Sequence, residues 1–270
     1  MRDDSETPAY ILRPMGAVNW IGVWSLYLKE VRRFLKVAMQ TLLAPIVTTL
    51  LFLAIFTLAL GRADWTVSGV DFTRFLAPGL VMMAIIQNAF ANNSSSLIIA
   101  KVQGNIVDFL MPPLTAGELT FAFAMGGITR GLVVGTIVYL AMLPFVDIGL
   151  HHLGYTLFYA ASASLCLSLL GLVAGIWGEK FDHLSAVTNF IIMPMSFLSG
   201  TFYSVERLPG DWVLAAHLNP FFYMIDGLRY GLIGHSEGSL ATGVVLLCVL
   251  NLLLWIACRW MFVSGWRLKP

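Results

Sequence analysis

Residues 75–100 read FLAPGLVMMAIIQNAFANNSSSLIIA, an unbroken run without a single charge. A helix of roughly 20 mostly apolar residues crosses the hydrocarbon core of a bilayer, so this stretch is long enough to span one. Comparable runs lie on either side of it: 37–60, 131–146 with a few flanking residues, 153–177, 185–203 and 240–258. The predicted fold is an all-α membrane protein with six transmembrane helices, of which 75–100 is the second. The composition agrees. Of 270 residues, 58% are hydrophobic and 11% charged, against about 25% charged in an average globular domain. That leaves too little polar surface to wrap a water-soluble particle, which argues against a soluble enzyme or a disordered chain. A net charge of +1 gives no basic footprint for nucleic acid. Cys166, Cys248 and Cys258 are odd in number, match no metal spacing and fall in apolar runs, so they read as small buried hydrophobes. The first ten residues carry Asp3, Asp4 and Glu6 and do not read as a signal peptide.

Lysine and arginine set the expected orientation, because cytoplasmic loops are enriched in them. Arg2, Arg13, Lys29, Arg32, Arg33, Lys36, Lys101, Lys180, Arg259, Arg267 and Lys269 fall on one side of a six-span arrangement; Arg62, Arg74, Arg207 and Arg229 fall on the other. Both termini are therefore expected in the cytoplasm. The chain divides into a cytoplasmic segment at 1–36, a six-helix membrane domain at 37–262 and a tail at 263–270.

Three non-spanning segments carry further information. In 18–36, Trp20, Val23, Trp24, Tyr27, Val31, Phe34 and Leu35 recur at helical spacing, while Lys29, Glu30, Arg32, Arg33 and Lys36 lie mostly opposite. This is the pattern of an amphipathic helix in the membrane interface, and a basic anchor that only fixes topology would look the same. In 101–118, a short cytoplasmic helix is expected at 105–111, stopped by Pro112 and Pro113. It sets Ile106, Phe109 and Leu110 on one side and Asp108 on another, a form suited to docking a soluble partner. In 206–239, Pro209 and Pro220 suit the first turns of two short helices, about 209–217 and 220–232. Trp212, Phe221, Phe222, Tyr223 and Tyr230 are aromatics expected at headgroup level, and the pair is read as dipping into or lying on the outer leaflet. Asp226 and Arg229, three apart, can pair on one helix face.

Polar groups within a span are costly and often functional. At about 100° per residue, Asn88, Asn92, Ser95 and Ser96 share one arc of the second span, with Gln87 beside it, and this arc is expected to face another helix or a wet pathway. Hydrogen-bond glue between helices and lining of a translocation path both remain open. Arg130 is read as snorkelling to the headgroups from the start of a span at Gly131. Gly127, Gly131 and Gly135, like Gly171 and Gly175, are small-residue steps for close helix packing. His151, His152 and Asp147, or Asp182 and His183, lack a third metal ligand, and the chain has no P-loop, HExxH or GxSxG motif. No catalytic or metal-binding residue is assigned.

Four stretches are similar to the bacterial ABC-2 type transporter permeases, the membrane subunits of type-2 ABC exporters, in a YadH/NodJ-like branch: FLAPGLVMMAIIQNAF at 75–90, KVQGNIVDFLMPPLTAGEL at 101–119, MGGITRGLVVG at 125–135 and SGTFYSVERLPGDWVLAAHLNPFFYMIDGLRYGLIG at 199–234. A second basic residue common early in the family's 101–119 segment is Gln103 here. The resemblance implies a homodimer served by two copies of a cytoplasmic ABC ATPase, with ATP and Mg on that partner and no cofactor on this chain. It makes 18–36 a connector helix, with Trp24, Lys29, Glu30, Arg32 and Arg33. ATPase coupling would fall to Lys101, Gln103, Gly104, Asn105, Ile106, Asp108, Phe109, Leu110, Pro112 and Pro113. Gln87, Asn88, Asn92, Ser95 and Ser96 would line the path or the dimer seam. Pro209, Trp212, Asn219, Pro220, Tyr223, Asp226 and Arg229 would form a re-entrant outer gate. The implied location is the bacterial inner membrane, in contact with lipid and without nucleic acid, and the implied cargo is amphipathic, lipid-linked or hydrophobic. The alternatives are an ATP-independent secondary transporter or channel and a non-transporting regulatory module. The absence of acids from the six expected spans counts against proton coupling.

Overall fold

A computed structural model describes residues 18–60, 66–67, 69–210 and 212–268; Arg2, Arg13, Arg62 and Lys269, used above for orientation, lie outside them. The elements are α1 (Trp20–Lys36), α2 (Ala44–Leu60), the two-residue strands β1 (Thr66–Val67) and β2 (Val70–Asp71), α3 (Phe72–Val102), α4 (Val107–Leu110), α5 (Ala116–Met142), α6 (Leu153–Trp177), α7 (Phe181–Val187), α8 (Met193–Leu198), α9 (Trp212–Leu218), α10 (Pro220–Ile233) and α11 (Leu240–Ser264). The strands pair as a minimal antiparallel hairpin, and Asp71 at its end caps α3 by accepting from the amides of Thr73 and Arg74. The other regular elements among the described residues are helical.

Five helices among the described residues are long and apolar enough to cross a membrane: Met39–Leu58, α3, α5, α6 and α11. The expected span at 185–203 differs. It is a helical run from Phe181 to Leu198 in three pieces, with a π turn at Thr188–Ile192, and it ends at Gly200, whose φ is +69°. The span at 37–60 is also interrupted, by a π turn at Met39–Leu43. Each π turn ends two residues before a proline, Pro45 in one case and Pro194 in the other. Proline has no amide hydrogen and its ring collides with the carbonyl four residues back, so a widened turn ahead of it relieves the ladder. The third span is corrected as well: α5 begins at Ala116, so Arg130 stands in mid-helix. α11 continues to Ser264, which moves the tail boundary past 262 to the left-handed cap at Gly265.

Helix α3 is the axis of the bundle. It packs on α5, α6, α10 and α2, and Phe75, Leu76, Met82, Ile86, Leu97 and Ile98 are fully enclosed. The glycine steps make this approach feasible. A Cβ on Gly171 of α6 would stand 2.5 Å from the Phe90 carbonyl oxygen, and one on Gly131 of α5 would meet Ser164 Oγ at 2.8 Å. Helices α2 and α11 are mostly uncovered, with Leu43, Val47, Leu51, Ile55 and Leu58 exposed at three- and four-residue spacing on the α2 segment. Cys166 and Cys258 are buried, but Cys248 on α11 is exposed, contrary to its expected burial.

Helix α10 also departs from expectation. Phe222, Met224, Ile225, Leu228 and Arg229 are buried, because α10 packs between α3, α6 and α11. It is part of the bundle rather than a helix lying on a leaflet. Its partner α9 begins at Trp212, so Pro209 precedes the helix instead of opening it.

Candidate functional site

The polar arc of α3 faces the amphipathic helix α1. Glu30, expected on the wet side of α1, is completely buried. Its Oε1 accepts from Ser96 Oγ at 2.7 Å, and its Oε2 pairs with Arg33 at 2.9 Å. Arg33 continues the network, donating to Ser95 Oγ at 3.1 Å and to the carbonyl and side chain of Asn92. A buried carboxylate is tolerated only when paired and hydrogen-bonded, and both conditions are met. Val23, Leu26 and Phe34 form the remaining buried face of α1, while Trp20, Ile21 and Trp24 are exposed. Lys29, Arg32 and Lys36 make an outward basic face. The sequence period finds this helix but sets its faces wrongly, because it sorts Glu30 with the other charges.

One turn from Asn92, Asn88 Oδ1 accepts from Arg130 Nε at 3.3 Å and from Nη2 at 3.1 Å. Arg130 therefore turns inward, and the snorkelling reading is corrected: fourteen residues of α5 precede it, and Asn88 supplies a partner within the bundle. Arg130, Arg33, Gln87, Asn88 and Ser95 line a cavity of about 620 Å³ between α2, α3 and α8. Gln40, Thr41 and Pro45 from the first π-turn region line it too, as does Met193 beside the second. The cavity is polar at the end near α1 and apolar at the other, where Phe52, Leu80, Met83 and Phe197 line it. Asn92 and Ser96 serve the α1 network instead, and Asn93 binds Ser168 of α6 through both its carbonyl and Oγ. The arc thus combines helix glue and cavity lining within one chain. Arg130, Thr41, Thr48 and Thr49 were missed as lining residues. The signal lies in Gln40 and in three of the four threonines of an otherwise greasy first span.

Beyond α3, Gly104 turns the chain with φ +73°, and α4 is a single turn, Val107–Leu110, shorter than the 105–111 helix expected. Ile106 and Phe109 face inward. Phe109 meets the Phe123 ring at 5.3 Å and lies beneath Lys29 Nζ at 3.7 Å. The outward surface is Gln103, Asn105, Val107, Asp108, Leu110, Met111, Pro112 and Pro113. Phe109 and Ile106 therefore hold the knob in place and do not present it. Lys101 also faces inward, donating to the carbonyls of Ile176 and Gly178 at the end of α6. Glu118 braces the exit. It completes a capping box with Thr115 on α5, and it accepts from the Asn19 amide, at the cap of α1, at 2.6 Å.

At the opposite end of α3, Asp226 and Arg229 form a buried ion pair at 3.6 Å. Arg229 lies 3.8 Å over the Phe75 ring and donates to Gly200 O at 2.7 Å. Asp226 accepts from the Glu237 and Gly238 amides, both at 2.9 Å. Asn219 caps α10 ahead of Pro220 and ties it to Met195 O and Ser199 Oγ. Tyr223 is half-buried beside Phe222, whereas Pro209 and Trp212 are exposed. Among the described residues, no three His, Cys, Asp or Glu side chains come together to hold a metal.

The sequence profile of the family described as ABC-2 type transporter matches residues 22–233. The chain belongs to this family. It is 35% identical over 248 residues to the inner membrane transport permease YadH of Escherichia coli K12, covering 92% of this chain and 96% of that protein. It is 26% identical over 246 residues to nodulation protein J of Rhizobium leguminosarum bv. trifolii, covering 87% and 89%, and 25% identical over 240 residues to nodulation protein J of Neorhizobium galegae, covering 87% and 89%. The matched region runs from α1 through α10, so it includes the α1–α3 network, the cavity, α4 and the Asp226–Arg229 pair. This ABC-2 permease is thus a membrane transport subunit with several spanning helices.

Proposed function

We propose that this ABC-2 permease is the membrane half of an ATP-driven exporter in the bacterial inner membrane, working as a homodimer with two copies of a cytoplasmic ABC ATPase that carries ATP and Mg. The observation that carries this reading is the construction of α4. A one-turn knob with an exposed tip at Asp108, Leu110 and Met111 is fixed from below by Phe109 and Lys29 and braced to α1 and α5 through Glu118 and Asn19. A force applied to that tip reaches α1 and, through Glu30 and Arg33, the α3 wall of the cavity without passing through a flexible joint. In this reading Phe181–Leu198 supplies a sixth crossing, both termini are cytoplasmic, α1 is the connector helix, and α9 with α10 guards the outer exit.

The cargo enters the cavity beside α3 and leaves past α10. A cavity with one polar and one apolar end suits an amphipathic or lipid-linked molecule. Proton-coupled transport has less support, since the two buried carboxylates among the described residues, Glu30 and Asp226, are each held by an arginine.

The test is co-purification of the ATPase with variants of the exposed tip. Leu110→Asp and Met111→Asp together are expected to remove the ATPase while the permease still inserts and keeps its thermal stability. Retention of the ATPase at wild-type stoichiometry overturns the assignment of α4.

A further inference from the structure

The transport reading leaves open what the cavity recognises, and its charge narrows the answer. Two guanidinium groups, Arg33 and Arg130, line the same space, held one turn apart on α3 by Asn92 and Asn88. Glu30 neutralises Arg33. Arg130 is in no ion pair among the described residues, and Asn88 Oδ1 engages only its Nε and Nη2. The remaining donor, Nη1, has no hydrogen-bond partner there and is not among the buried unpaired atoms, so it stays accessible from the cavity. The site therefore carries a net positive charge inside an apolar bundle. A cation placed this deep is costly unless an anion offsets it, and an anionic oxygen is the partner a guanidinium favours. The opposite end of the cavity, at Phe52, Leu80, Met83 and Phe197, is apolar.

We propose that the cavity binds an anionic amphiphile, its acidic head group on Arg130 and its hydrocarbon along Phe52, Leu80 and Phe197. The proposal rests on the transport reading only in treating this molecule as cargo. The binding itself needs neither nucleotide nor ATPase. Phosphate on a lipid and free phosphate share the head-group chemistry, and the apolar end of the cavity favours the lipid.

The experiment uses the purified full chain in neutral maltoside detergent. Native mass spectrometry measures retention of phosphatidic acid against phosphatidylcholine with the same acyl chains. The wild type is expected to prefer phosphatidic acid by about tenfold, the size of one desolvated charge-assisted contact. Arg130→Gln should abolish the preference, Arg130→Lys should keep part of it, and Arg267→Gln on the surface should leave it intact. Ala44→Trp, which sets a large ring into the cavity from α2, should abolish retention if Arg130→Gln proves poorly folded.

Excess inorganic phosphate that fails to displace the lipid supports the lipid source. Displacement at matched concentration overturns it in favour of a soluble anion. An unchanged preference in both Arg130→Gln and Ala44→Trp places the lipid elsewhere and overturns the proposal. Loss of self-association in Arg130→Gln with lipid preference intact also overturns it, making Arg130 a seam residue. Failure of the ATPase to co-purify would sink the exporter reading and leave this result untouched.

Discussion

Ser96 on α3 donates to Glu30 on α1 across 2.7 Å, a bond between residues 66 positions apart in the chain. It fixes a helix that the sequence marks as peripheral to the helix at the centre of the bundle. The Arg33 pair completes the joint.

The two members of this joint should be energetically coupled. Glu30→Ala leaves Arg33, itself about a quarter exposed, without its counter-ion; a loss of about 1–3 kcal/mol is expected. The Glu30→Ala, Arg33→Ala double variant should lose less than the sum of the single changes. Thermal unfolding in detergent across the four proteins of the cycle gives the coupling directly. Additive losses would show that the pair carries no joint energy.

Phe109 and Leu110 are neighbours with opposite roles. Phe109→Ala removes a buried ring and should lower stability by about 3–5 kcal/mol. Leu110→Asp, on the exposed side, should change it by less than about 0.5 kcal/mol. The melting temperatures of the two variants separate anchoring from docking.

Close packing of α6 on α3 predicts a sharp contrast between two glycines. Gly171→Ala drives a methyl group against the Phe90 carbonyl and should destabilise by about 1–3 kcal/mol. Gly117→Ala, with nothing within 4 Å, should be neutral or mildly stabilising, since alanine is the better helix former. Unfolding midpoints measured side by side decide it.

Asp226 should control the order of the turn after α10. Asp226→Ala frees the Glu237 and Gly238 amides and leaves Arg229 charged in a buried site. The expected cost is about 3–5 kcal/mol. Hydrogen exchange at those two amides should accelerate while exchange across α6 stays slow. Unchanged protection at 237–238 would show that the turn holds itself.

Much of this architecture was legible because the physics of crossing a bilayer is local. Twenty uncharged residues announce a span whatever they pack against, and α3, α6 and α11 begin or end within a few residues of expectation. Glycine spacing on α5 and α6 likewise marked helix faces that do meet α3. What the sequence hid depends on partners distant in the chain. Arg130 reads as an interfacial charge until Asn88 is seen beside it. Glu30 reads as solvated until Ser96 and Arg33 enclose it. Phe109 reads as a docking residue until Phe123 and Lys29 cover it. α10 resembles a surface helix because Tyr223, Asp226 and Arg229 carry polar groups, and only the enclosure of that ion pair by Phe75 and Gly200 makes it interior. The broken run at 181–198 reads as a single span at 185–203 because a π turn leaves no mark in hydropathy, although Pro194 is visible within it.

Those two widened turns have a bearing on how the chain tolerates change in length. A π turn accommodates one residue more than the α-helix around it. Deleting a single residue within 39–43 or within 188–192 removes the extra residue and keeps the flanking segments in phase, at the cost of restoring the crowding that Pro45 or Pro194 imposes on an α-turn. The same deletion in the middle of α3 rotates everything beyond it by about 100°, carrying Asn88 away from Arg130 or Ser96 away from Glu30. A change in length is thus better absorbed on the two walls facing the cavity than on the axis against which they stand.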